Sequence, residues 1–578
     1  MTQAKGAFLL AVCLLAGCAA DSGGGDAEPP EQKTRRPVGD GCAFNEDCAT
    51  NECHGAMPGG LCTEDDCDAC PDGSKCAPSR LGTFCFVTCS HHPDCRQGYQ
   101  CLGGACVPSC EADTDCARGL YCNAGRCEQR PSIVTGTCSY DGECPSKICL
   151  IPERKCSTPC AATPDCGATE YCVMRLYTNS NREVLTRATC SPEQPGGELG
   201  ASCATDKDCR SGMCYLGACS ELCRDGSCPA ALTCQSSQYV AADGVKSVNV
   251  CLPAQGRLVG DFVVRKYGQD TETLPIPKNT ASFSILGLTE QRTFTPAVLQ
   301  LTAPDGRQLY STPQTTEDFY RTVIRYYPDS HSSTMLVPNT PSAPIQNTGP
   351  YRFLIGAFNA DGAYAGVPTV RVFYKLAPNG LVTRGTLNFN VYLANLSGHP
   401  CGSIHAGNAA TELKSSFDVI RRIYAKANIT IGTITYRDLP GNTFNSINTS
   451  DDAAMGNLFA NSAGATNNAV NLFIVRSISP QGVLGVAGGI PGPPVHGTAN
   501  SGVVASLANR CNGVLGHVLA HEVGHYLGLF HNLERDNRQD PIADSNTSAQ
   551  NLMYWNEQGG EELSNGQSFV LLRNAIVE

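Results

Sequence analysis

His521-Glu522-Val523-Gly524-His525-Tyr526-Leu527-Gly528-Leu529-Phe530-His531 is the stretch that decides how the C-terminal part of this chain is read. It continues the run Gly513-Val514-Leu515-Gly516-His517-Val518-Leu519-Ala520, whose Leu and Val stripe is that of a core-packed helix starting near Asn512 or Gly513. At about 100° per residue, His521 and His525 lie within about 40° of each other, so both rings can reach one point. Gly528 permits the left-handed backbone that ends a helix sharply, and His531 returns just past that turn. Three neutral imidazoles converging on one point are the donor set of a catalytic Zn2+, because a fourth position stays open for water. Glu522 sits beside the first ligand without binding the metal and is placed to take that water's proton. The competing reading is a core helix that merely buries satisfied histidines. His517, one turn before His521, is read as structural, since three ligands are already supplied.

The stretch resembles the metzincin pattern HExxHxxGxxH at every fixed position. That resemblance implies a supporting methionine turn downstream, and Asn551-Leu552-Met553-Tyr554-Trp555 is similar to it, with Met553 packing and not ligating. Gly524 and Leu529 match the HExGHxxGLxH form of the pappalysin-like (cytophagalysin) branch, while Asn532 and Tyr554 depart from it. Asp540-Pro541-Ile542-Ala543-Asp544-Ser545 resembles the acidic segment of that branch, which implies Asp540 and Asp544 as candidate ligands for Ca2+. The implied activity is that of a zinc metalloendopeptidase, hydrolysing a protein or peptide substrate with zinc-activated water and Glu522 as general base.

Residues 381–578 also read as an α/β domain by pattern. Leu387 to Leu393 alternates as a strand, Thr411 to Ala427 carries Leu413, Phe417, Ile420 and Tyr424 at helical spacing, and Ile431 to Leu439 and Val470 to Ile478 follow as strands. By analogy with the family, Gly485 to Gly488 forms an edge strand to which substrate backbone adds; an ordinary hairpin fits equally. Ser564-Asn565-Gly566-Gln567 is a capping box opening a closing helix, SFVLLRNAIVE, beneath the zinc helix. Cys401 and Cys511 are expected to pair, with a metal-blocking thiolate as the alternative.

Thirty-two of the 36 cysteines lie between Cys42 and Cys251, in eight groups of four. Units of about 20 residues bury too little to fold unaided, so cross-linking replaces the core. The groups lack the paired CxxC knuckles of zinc ribbons, and residues 41–254 are read as a string of disulfide modules. Residues 1–18 read as an export signal: Lys5 precedes an apolar run too short to span a bilayer, and Leu15-Ala16-Gly17-Cys18 looks like a bacterial lipobox. This implies a lipid on Cys18, a disordered tether over 19–40, and a place in the cell envelope or outside the cell. A plain secretory signal is the alternative.

Residues 255–380 hold no cysteine and read as a β-sandwich accessory domain or spacer. Its strand-like runs are SFSILGL, AVLQLTAP, RTVIRYYP, YRFLIGAFN and TVRVFYKLA. With a net charge of −12 and no basic runs, nucleic acid is not an expected partner. Against the enzyme stands a second reading, a surface binding or adhesion protein in which the cysteine modules carry the function.

Overall fold

The computed structural model describes residues 35–108, 120–123, 126–129 and 134–578, apart from short breaks at 55–56, 58, 65–66, 80–81, 97, 152, 180–182, 242, 265–270 and 557–559. The expected signal, Cys18, most of the tether, and Cys110 and Cys116 lie outside the described residues. The chain divides into two compact units, one running through Glu111 with Cys122–Arg126, the other holding the rest to Glu578.

Each unit contains four-cysteine modules built on one plan. The third and fourth cysteines face each other across a short antiparallel hairpin, as in Cys53 with Cys62, Cys101 with Cys106 and Cys214 with Cys219. The third bonds back to the first and the fourth to the second, giving Cys42–Cys53 with Cys48–Cys62, Cys89–Cys101 with Cys95–Cys106, and Cys203–Cys214 with Cys209–Cys219. An acidic residue precedes the second cysteine in most modules, and its carboxylate accepts two backbone N–H groups of the turn before it. Asp94 accepts from Ser90 and His91, and Asp208 from Ala204 and Thr205. Those N–H groups hold both carboxyls below the usual range. So many disulfides fit an exported chain in an oxidising compartment. No described helix is long and apolar enough to cross a membrane.

In the second unit two antiparallel sheets face each other. The first is ordered β1-β9-β3-β6, with β1 Gly256–Phe262, β3 Thr280–Leu288, β6 Ser332–Val337 and β9 Thr369–Leu376. The second is ordered β2-β7-β4-β5, with β2 Glu272–Leu274, β4 Thr295–Thr302, β5 Gln308–Ser311, β7 Tyr351–Phe358, and β8 Tyr364–Gly366 added to β7. Phe283, Ile285 and Val372 from one sheet share a core with Val298, Leu301 and Phe353 from the other. The expected strand RTVIRYYP is absent. Thr315 caps helix α1, Thr316–Arg321, by accepting from the Asp318 N–H, and Thr322–His331 then runs irregularly before the sheet resumes at Ser332. Ile324 and Tyr326 are buried there as core residues of an excursion, so their hydrophobicity does not mark a strand.

Beyond Gly385 a five-stranded sheet is ordered β11-β10-β12-β14-β13, with β10 Gly385–Leu393, β11 Ile429–Asp438, β12 Val470–Val475, β13 Gly485–Ala487 and β14 Val503–Ser506. All neighbours are parallel except β13, which pairs antiparallel with β14 at the sheet edge. Helix α2, Lys414–Ala425, buries Phe417, Ile420, Ile423 and Tyr424 in the same core as helix α3, Leu515–Tyr526. Full burial of each such side chain contributes about 1.5–3 kcal/mol as an upper bound. The two helices cross closely at Gly516, where a Cβ would stand 2.7 Å from the Ser416 carbonyl oxygen, and the Tyr424 hydroxyl donates to Ala520 O at 2.9 Å.

Helix α4, Asn565–Arg573, opens with the Ser564–Gln567 capping box, but it stops at Arg573 and does not run on to Glu578. The last residues turn away because Glu578 exchanges two backbone hydrogen bonds with Thr386 at the start of β10. The two-sheet region is fused to this part. The buried Lys375 ammonium donates to Leu572 O at 2.6 Å and to Val577 O, Ser282 Oγ donates to Arg573 O, and Leu336 of β6 belongs to the core around α3.

Candidate metal centre

Helix α3 carries His521, Glu522 and His525 in its last two turns, and both histidines are nearly fully buried. Gly528, at φ +113°, takes the chain off the helix, and His531 lies beyond it. The ring centroids of His521 and His525 are 4.7 Å apart, those of His525 and His531 4.7 Å, and those of His521 and His531 5.4 Å. The structure therefore brings the three sequence-predicted rings together.

Each ring is fixed from behind by its Nδ1 atom. His521 Nδ1 is 2.7 Å from Leu552 O, His525 Nδ1 is 2.7 Å from Leu529 O, and His531 Nδ1 is 2.9 Å from Glu534 Oε2. These partners only accept, so Nδ1 carries a proton and donates in all three rings. Burial, then the neighbouring His531, pushes His521 down to about 4; burial pushes His525 well below its ordinary value. Both rings are thus neutral, the form in which imidazole ligates.

The Nε2 atoms of His525 and His531 stand 3.1 Å apart. At that distance the two atoms either share a proton or serve one cation. Donors 3.1 Å apart and each about 2.0–2.1 Å from a zinc ion subtend about 98°, within reach of tetrahedral geometry. The donor set and spacing fit zinc.

Glu522 is half-buried on the next position of the helix. A Cβ on Gly485 would lie 2.8 Å from Glu522 Cγ and 2.9 Å from Val518 Cγ1, so only glycine lets the carboxylate side chain lie against the start of β13. The candidate base and the sheet edge thus adjoin.

Against helix α3, Met553 is completely buried, and a Cβ on Gly524 would meet its Sδ at 2.5 Å. This accounts for glycine at the fourth position of the helical motif, directly before His525. The turn is held by Asn551, whose Oδ1 accepts from Met553 N at 2.9 Å and whose amide pairs reciprocally with Gln567 at 2.9 and 3.1 Å. Asn532 joins it, donating from its backbone to Met553 O at 3.1 Å and from its side chain to Asn546 O and Ser548 O. Tyr554 pairs by its backbone with Leu533.

Other expected residues are placed elsewhere. His517 lies 3.1 Å from Glu561, which also binds Arg422 and Lys426 on the outer side of α2 and α3. Asp544 accepts from Gly566 N at 2.9 Å and Ser564 Oγ at 2.9 Å, so its carboxylate serves the N-terminus of α4. Asp540 accepts from Ile542 N at 3.1 Å, and burial pushes its carboxyl up to about 7. Cys401 and Cys511 are joined in a disulfide. Sequence reasoning missed Glu534, which the i+3 spacing from His531 could have suggested; Gly485, expected at the start of an edge strand, stands there, though its contact with Glu522 had no local signal.

No family model and no curated protein matches the chain. Among solved structures it is similar to mirolysin in complex with compound 9, at 15% identity and a TM-score of 0.23, over 33% of this chain and 96% of that one. It is also similar to metalloproteinase-II from Bacteroides fragilis, at 12% identity and a TM-score of 0.24, over 57% of this chain and 88% of that one.

Proposed function

We propose that this chain is an exported zinc endopeptidase of the metzincin type, nearest in its motif to the pappalysin-like branch, with His521, His525 and His531 as ligands and Glu522 as general base. The observation that carries the reading is the set of three Nδ1 hydrogen bonds on rings whose centroids lie 4.7–5.4 Å apart, which leaves the Nε2 side of each ring available to a ligand. Three rings from one helix and the loop after it, with two Nε2 atoms 3.1 Å apart, favour a shared ligand point over a core helix of separately satisfied histidines.

Zinc, when bound, supplies a Lewis acid that polarises a scissile carbonyl and makes a water acidic enough to attack at neutral pH. Glu522 takes the proton of the attacking water on its carboxylate and passes it to the nitrogen of the leaving amine. The outer edge of β13, next to Glu522, is suited to aligning an extended substrate backbone by strand addition. Leu552 O, Leu529 O and Glu534 hold the rings at their angles while charge develops. The segment Leu15-Ala16-Gly17-Cys18 supports attachment to a membrane through a lipid on Cys18, which mass analysis of the N-terminal peptide from the producing cells would read.

The test is cleavage of a generic protein substrate by the purified full chain. Zinc-loaded protein should cleave, a chelator should abolish cleavage, and zinc should restore it. Glu522→Ala should keep its zinc and lose nearly all turnover. Zinc-loaded wild type that cleaves nothing, or a Glu522→Ala variant as fast as wild type, would overturn the proposal.

A further inference from the structure

Between β5 and β6 the chain leaves its sheet for the excursion that holds α1 and Thr322–His331, and this excursion reaches the loop after His531. Its centre is Arg325, only 1% exposed. The guanidinium carbon lies 5.3 Å from the ring centroid of Phe530, the residue before His531, and 4.7 Å from that of Tyr320. Nη2 is 3.3 Å from Gln539 O. Phe319 meets Phe530 edge-on at 5.9 Å. Leu533 and Gln539 pair across the loop, so Arg325 touches both legs of the hairpin from which His531 and its partner Glu534 project.

Asp540, next to Gln539, and Glu534 attract the guanidinium without forming a close ion pair among the described residues, Nη2 also donates to Tyr320 O at 3.3 Å, and Nε is buried without a hydrogen-bond partner. Burying a guanidinium in this way is costly, and an apolar side chain of similar volume would fill the space more cheaply. What the apolar side chain could not do is cover aromatic rings with a planar cation and donate to a backbone carbonyl at once. Asn339 fixes the backbone around it, accepting from Arg325 N at 3.3 Å and donating to Arg325 O.

We propose that Arg325 is a positioning residue for His531, acting through Phe530 and Gln539, so that the two-sheet region is part of the zinc site and not a detachable spacer. The proposal rests on the zinc reading above.

The experiment uses the full disulfide-bonded chain and the variants Arg325→Met, Arg325→Lys and Phe530→Leu, with His531→Ala as control. Zinc dissociation constants are measured by competition with a chromogenic chelator, visible spectra are recorded after cobalt substitution, and melting is followed in parallel. Arg325→Met and Phe530→Leu should each weaken zinc by about 10–100-fold, the range seen when residues behind metal ligands are removed, and should shift the cobalt bands. Arg325→Lys should not restore either, because it lacks the planar fork. Variants that melt lower yet hold zinc with wild-type affinity and spectrum would reduce Arg325 to a structural role and overturn the proposal. If the wild type itself bound no zinc, the endopeptidase reading would fail first. If the wild type bound zinc, His531→Ala lost it and Arg325→Met kept it unchanged, only this inference would fail.

Discussion

Replacing Gly524 by alanine adds one methyl group where the structure has none to spare. The new Cβ would lie 2.5 Å from Met553 Sδ and 3.3 Å from Met553 Cε, and Met553 is completely buried. Overpacking of this kind costs about 1–3 kcal/mol, while alanine in place of glycine inside a helix returns about 1 kcal/mol. In the wild-type background, Gly524→Ala should therefore be neutral to destabilising by about 2 kcal/mol. Met553→Ala alone should cost about 2–5 kcal/mol as a cavity. In that background the clash is gone, and Gly524→Ala should stabilise by about 1 kcal/mol. The coupling between the two positions should thus be about 1–3 kcal/mol. Trp555 is the only tryptophan in the chain and stands two residues past Met553, so its fluorescence reports unfolding at this turn. Urea titrations of the four zinc-free forms close the double-mutant cycle. A Gly524→Ala effect equal in both backgrounds would refute the idea that this glycine exists to seat the methionine.

Glu522→Gln should hold zinc with near wild-type affinity while kcat falls by about 10²–10⁴-fold, the usual worth of a general base; metal analysis beside a cleavage assay checks both halves. The Cys401–Cys511 bridge closes a loop of 110 residues, so removing it by the double serine variant should cost about 2–5 kcal/mol, measured by denaturant unfolding. Arg422, aided by His517 and Lys426, holds the Glu561 carboxyl down to about 2. Because its folded value lies below its ordinary 4.5, the stability it contributes is present above pH 4.5 and is lost as pH falls toward 2. Glu561→Gln should flatten the acid side of the melting profile in that window, modestly and less so at high salt, since the network is largely solvent-exposed.

The parts of this molecule that were legible in the sequence are those written in contiguous residues. The helix from Leu515 to Tyr526 shows its period and the positions of His521, Gly524 and His525 within one run, and β10 and α2 show their periods likewise. The cysteine pairing was not legible, because four cysteines allow three connectivities and the choice is made by the hairpin register that sets Cys53 opposite Cys62. RTVIRYYP misled for a related reason. Val323, Ile324 and Tyr326 are apolar because an excursion buries them, and nothing local separates that from a half-buried strand. The steric need for glycine at 485 and the role of Arg325 stayed hidden because the atoms that explain them, Glu522 Cγ and the Phe530 ring, lie 37 and 205 residues away along the chain.

Zinc-edge X-ray absorption of the full chain, stripped with chelator and reloaded, tests the central claim most directly. One zinc per chain is expected, surrounded by three nitrogen donors at about 2.0–2.1 Å plus one oxygen, with all of these lost on alanine substitution of His521, His525 and His531. A wild-type chain that takes up no zinc, or one whose zinc survives the triple substitution or shows sulfur donors at about 2.3 Å, would contradict it.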